Sequence, residues 1–202
     1  MFLPLDACDL TVPRYVSCVS PSIVNPHDVI DFWFEELEPA QWWIKDEVLD
    51  QHIQARFGVT HMAATLGELE PWREIPEGRL AEIIVLDQFS RNIYRGTQLS
   101  FAYDLTALVL AQEAVHVGAD SQVEFEKRSF IYMPFMHSES ATVHETAVEL
   151  FGRPGAEFNY EFELKHKAII DRFGRYPHRN EILGRESTPE EIEFLKQPGS
   201  SF

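Results

Sequence analysis

Apolar residues recur three and four positions apart through most of this chain, the period of a helix that packs along one side. A first helix is predicted after Asn25, which can cap. Pro26 stands at its first position and Asp28 in its first turn, and the helix runs to Leu37, where Pro39 stops it. A second follows Asp46, with Val48, Leu49, Ile53 and Phe57 as its apolar stripe, and ends near Gly67. A third covers residues 77–93. A fourth is opened by Thr97 and closed at Gly118. A fifth spans residues 122–132 and is broken or kinked by Pro134, and a sixth runs from Ser138 to Phe151. A seventh occupies residues 157–173 with Gly174 at its C-cap, and a last one opens on a Thr188, Pro189, Glu191 capping box. No segment alternates in the manner of a half-buried strand. The pattern predicts an all-α domain of seven to eight antiparallel helices over residues 25–202, preceded by an irregular tail at residues 1–24.

Some polar residues fall where this pattern places the core. With about 100° per residue, Asp87 lies in the middle of the face defined by Leu80, Ile83 and Ile84. Arg91, one turn on, continues that face, and Asn92 and Arg95 follow. Asp104 interrupts the stripe of Phe101, Leu108, Ala111 and Val115, and needs a cation that Arg91, Arg95 or an arginine of residues 172–179 can supply. His166 shares a face with Phe162, Ile169 and Phe173. Just past that helix, residues 172–180 read RFGRYPHRN, placing Arg172, Arg175, His178, Arg179 and Asn180 together with no acid among them. His137 and Glu139 stand at the junction of two helices. Buried charge is costly unless it is paired or used, so each group has two readings. One is a structural ion pair or helix cap. The other is a polar pocket in which Asp87, Arg91, Asn92, Arg95, Asp104, Arg172, Arg175, His178, Arg179 and Asn180 hold a ligand while His137, Glu139 and His166 move protons.

Composition narrows the choice. The chain has 202 residues, fifteen of them Phe and four Trp, enough for one sizeable core. A net charge of −16 disfavours nucleic acid and anionic membranes as partners. Within this acidic chain the segment from Lys165 to Arg185 is basic, six Lys and Arg against Asp171 and Glu181. It is read either as internally paired or as an anion-binding patch. The two cysteines, Cys8 and Cys18, form no zinc or disulfide framework, and no leader or membrane span is evident, so a cytoplasmic protein is expected. His137, His144, His166 and His178 lack metal-ligand spacing, and no nucleophile elbow or phosphate-binding glycine loop occurs. Neither metal nor cofactor is expected.

Several strings coincide in order: VIDFWF at 29–34, Trp42 with Trp43, LDQFSRNIYRG at 86–96, FAYD at 101–104, YMPFMHSE at 132–139, HKAIIDRFGRYPHRN at 166–180 and LGREST at 183–188. From about residue 26 onward they resemble the bacterial family known as domain of unknown function 924. The resemblance implies a tetratricopeptide-like superhelical fold and carries no activity, cofactor or catalytic residue. Two functions are expected to compete: a pocket for a small anionic molecule with acid/base capability, and a helical module that grips a peptide or an acidic protein tail.

Overall fold

The structure is a computed structural model that describes residues 22–154 and 156–201. Residues 1–21, with Cys8, Cys18 and most of the expected tail, lie outside the described residues. The described residues contain helices and no strand: α1 (Pro26–Asp31), α2 (Glu47–Thr65), α3 (Pro76–Ile84), α4 (Ser90–Ile93), α5 (Asp104–His116), α6 (Ser129–Met136), α7 (Ala141–Phe151), α8 (Glu157–Phe173) and α9 (Pro189–Phe194). α3 and α4 are one rod, so these segments amount to eight helices, as the periodicity predicts. None of them is long and apolar enough to cross a membrane.

The caps follow the sequence at both ends. The Asn25 side chain accepts from the His27 amide, and Asp28 accepts from the Asn25 amide. Asp46 accepts from the Val48 and Leu49 amides, and Thr188 and Glu191 form the expected reciprocal pair. In the middle the sequence misleads. Thr97 caps no helix. Its hydroxyl donates to the Tyr94 carbonyl, a short 3-10 turn covers Gln98–Phe101, and α5 begins only at Asp104. The fifth helix starts at Ser129 rather than at residue 122, and Pro134 does not end it, since it continues to Met136. Ser138 does not cap α7. Its hydroxyl accepts from the Ser140 amide one residue outside the helix. Val48 is 77% exposed, since α2 buries only Leu49, Ile53 and Phe57 of its expected stripe.

Two helices contain a wide π turn: Phe32–Glu36 continues α1, and Val85–Phe89 joins α3 to α4. Such a turn inserts an extra residue and re-aims the side chains beyond it. Here both turns face the centre. Phe32, Trp33, Phe57, Phe89 and Phe130 interlock there at centroid distances of 4.9 to 6.1 Å, and Trp42 closes the cluster by donating its indole N–H to the Trp33 carbonyl. Burial of each such ring stabilises the fold by about 2–3 kcal/mol. α6 is buried along its whole length, from Ser129 to Met136, and packs on α3, α5, α7 and α8.

Tyr176 helps to fasten the chain beyond α8 to α6. α8 ends at Gly174, which adopts φ +68°, and the chain turns back so that Tyr176 enters the interior. Its hydroxyl donates to the Met136 carbonyl at 2.6 Å. Phe173 and Phe194 pack beside it with Ile169 and Ile170 as a second small core. A Cβ on Gly174 would meet no atom within 4 Å, so only its left-handed backbone resists substitution. Gly174→Ala is expected to lower the unfolding free energy by about 1–2 kcal/mol, read as a shift in the urea midpoint with the slope unchanged.

Candidate functional site

The interior polar residues form one chain of contacts. Asp87 sits in the π turn with no exposure. Its Oδ1 lies 2.8 Å from His137 Nδ1 and 3.2 Å from Arg91 Nη1, and Gln88 donates to its Oδ2. Arg91 also grips Asp104 with both Nη atoms, at 3.0 and 3.1 Å. Asp104 Oδ2 in turn accepts from Arg179 Nη1 at 3.2 Å. The Arg179 guanidinium is stacked between Phe101 and Tyr176, 4.6 Å from each centroid. Residues expected from three distant segments, 87–104, 137 and 179, thus meet across α4, α5, α6 and the turn after α8.

Electrostatics follow from this geometry. Burial alone would raise the Asp87 pKa, but Arg91 and His137 outweigh it and hold the carboxyl well below its usual range. An ionised Asp87 can only accept, so His137 donates from Nδ1 and its Nε2 carries the lone pair. Nε2 makes no hydrogen bond among the described residues, and the side chain is 15% exposed. Burial, and then Arg91, keep the imidazole pKa below 6.5 despite Asp87. At neutral pH the group is therefore an oriented, unprotonated base.

A second set surrounds Tyr176. Its ring contacts His144, His166 and His178 at 6.4, 5.7 and 5.5 Å. Its amide donates to Glu139, which Arg185 also holds at 2.6 and 2.9 Å, and Arg185 further bonds Asn180 Oδ1 and the Tyr176 carbonyl. Asn180 donates to Ser187 Oγ. His137 and Glu139 are therefore not an acid/base pair. They point to different partners, and Glu139 clamps the C-terminal turn. His166 donates from Nδ1 to the Phe162 carbonyl, and burial pushes its pKa down to about 3. Burial and Arg179 push His178 down to about 4.

Other expected site residues lie outside the cluster's hydrogen bonds. Asn92 and Arg95 both bind Asp50 on α2, which closes the α2–α4 contact. Arg175 is held by Glu191, and Arg172, half exposed, by Glu190. Much of the basic segment is thus internally paired. Among the described residues no three of His, Cys, Asp and Glu converge as a metal would require. His144 shows why, since Nδ1 meets Glu163 at 2.6 Å and Nε2 faces the Ser138 carbonyl at 2.9 Å. Two grooves, of about 480 and 350 Å³, lie elsewhere, beside Met62 and beside Phe135.

Sequence reasoning missed Tyr176 and Glu163. An aromatic residue two positions after Gly174 and just before Pro177, in an otherwise charged loop, was the available signal for Tyr176. Glu163 gave none, since an acid on a long helix is ordinarily solvated.

A family model for bacterial proteins of unknown function (DUF924) matches residues 29–199. The chain belongs to the DUF924 family. A solved structure of a protein of unknown function, ATU0120 from Agrobacterium tumefaciens, is 40% identical with a TM-score of 0.80, over 85% of this chain and 96% of that one. No curated protein matches. The DUF924 fold is thereby anchored, and neither likeness names a reaction.

Two buried acids of this DUF924 protein titrate in opposite senses. His144 Nε2 must donate, because a carbonyl only accepts, so a single proton occupies the bond between Nδ1 and Glu163. Glu163 Oε2 is buried without a hydrogen-bond partner among the described residues, and burial raises this carboxyl against the opposing pull of His144. Its contribution is full below pH 4.5 and is lost as pH rises through the raised value. Glu163→Gln keeps a donor for Nδ1 and removes the titration, so its stability relative to the parent chain should improve as pH rises above 4.5, as followed by thermal unfolding. Asp87, held low, contributes above pH 3.8 and loses that contribution as pH falls. Asp87→Asn at neutral pH should cost about 3–5 kcal/mol in denaturant unfolding, because Arg91 loses a buried partner.

Proposed function

We propose that this DUF924 protein binds a small anionic molecule at the Asp87–Arg91–Asp104–His137–Arg179 cluster, with His137 as a general base. The reading rests on one observation: His137 is fixed through Nδ1 by a fully buried carboxylate while Nε2 is left without a hydrogen-bond partner among the described residues. A carboxylate behind an imidazole sets its tautomer and orientation, and the opposite nitrogen then faces whatever is to lose a proton. Arg91 and Arg179 supply fixed positive charge beside it. Ligand-binding roles for Asn92, Arg95, Arg172 and Arg175 gain no support, since their hydrogen bonds go to Asp50, Glu190 and Glu191.

Diethylpyrocarbonate, which attacks an unprotonated imidazole, tests the reading. His137 should be modified with a midpoint below pH 6.5, and small carboxylates or phosphates should slow its modification saturably. A His137 that reacts like an exposed histidine, with no anion protecting it or raising the melting temperature, would exclude this role.

A further inference from the structure

We propose that the Nε–Nη2 edge of Arg179 receives the carboxylate of a monoanionic ligand, a step that rests on reading the cluster as a ligand site. At three other arginines this edge already grips both oxygens of a carboxylate, whereas Arg56, Arg91 and Arg185 grip their carboxylates end-on through both Nη atoms. Arg73 donates from Nε and Nη2 to the two oxygens of Glu82, both at 2.7 Å. Arg95 holds Asp50 in the same way at 2.5 and 2.7 Å, and Arg175 holds Glu191 at 2.7 and 2.8 Å. Side-on pairing with a carboxylate is the rule at these positions, and it is the strong, bidentate form of the contact.

Arg179 departs from that rule in a more demanding place. The residue is only 7% exposed, yet among the described residues its hydrogen bonding consists of one contact, Nη1 to Asp104 at 3.2 Å. Its Nε is buried with no acceptor among the described residues. Arg128 Nε is likewise buried without one, but the adjacent Nη2 of Arg128 faces the carbonyls of Ser121 and Val123. Leaving a buried charged donor unmet is costly, and Phe101 and Tyr176 fix the Arg179 plane so that it cannot swing to water. An anion in that plane would meet both donors at once.

Charge selects its class. Asp87 and Asp104 carry two negative charges and Arg91 and Arg179 two positive ones, and Arg91 occupies both oxygens of Asp104. Arg179 therefore shares a carboxylate that is already committed. These four charges cancel, so any bound anion adds excess negative charge to a sheltered site; a monocarboxylate adds one such charge and a phosphate dianion two, which favours the monoanion.

The test uses the full-length chain, its Arg179→Lys variant, and acetate, propionate, benzoate, inorganic phosphate and sulfate as probes, each read by protection of His137 from diethylpyrocarbonate. A monocarboxylate should protect His137 in the parent chain, and Arg179→Lys should weaken its apparent affinity at least about tenfold, because lysine keeps the charge and loses the fork. Protection equal in both chains would overturn the role of Arg179 and leave the ligand site standing. Stronger protection by phosphate than by any monocarboxylate would overturn the ligand class alone. Absence of protection by every probe would remove both. Should Arg179→Lys fail to fold, the Nε–Hε NMR signal of Arg179 in the parent chain decides: it should shift on carboxylate addition, and an unmoved signal at saturation refutes the contact.

Discussion

A carboxylate sealed from water at the centre of a helical protein has to be answered by charge, and Asp87 is that carboxylate. Its desolvation would neutralise it were Arg91 and His137 not both within hydrogen-bonding range. That requirement propagates. Arg91 must stay put, so Asp104 holds it from α5, and Asp104 draws Arg179 across from the far side of α8. Elements from distant parts of the chain are registered against one another by this relay.

The wide turn at Val85–Phe89 is what makes the relay possible. An unbroken α-helix carries a residue of the apolar face straight into the apolar layer. Here the extra residue of a π turn lets Val85, Leu86 and Phe89 remain in the core while Asp87 reaches His137. The backbone irregularity and the buried charge coincide, and such coincidences are characteristic of functional positions.

Tyr176 does the corresponding work for the C-terminal part. Its amide, carbonyl, hydroxyl and ring each engage a different group: Glu139, Arg185, Met136 and Arg179. The polar cluster and the scaffold are therefore coupled through one side chain. The neutral, proton-sharing pair of His144 and Glu163 lies immediately behind it, with His144 Nε2 3.3 Å from the Tyr176 hydroxyl. Most of these interior polar groups are held by mutual satisfaction, and Arg179 Nε, like Glu163 Oε2, is buried without a hydrogen-bond partner among the described residues.

Helix content and most helix ends were legible from local pattern, because caps at Asn25, Asp46 and Thr188 and the left-handed glycine after α8 act through neighbours two to four residues away. Polar residues on apolar faces were legible too, as Asp87, Arg91, Asp104 and His166 show. Their partners were not. Arg95 and Arg91 are one turn apart and look alike in sequence, yet one binds Asp50 and the other Asp87 and Asp104. Glu139 beside His137 suggested a pair that the fold does not make. Local sequence determines which groups must be compensated, since that depends on helical phase and hydrophobicity. Which group compensates them is a matter of distances of a few ångströms between segments remote in the chain, and only tertiary packing settles those.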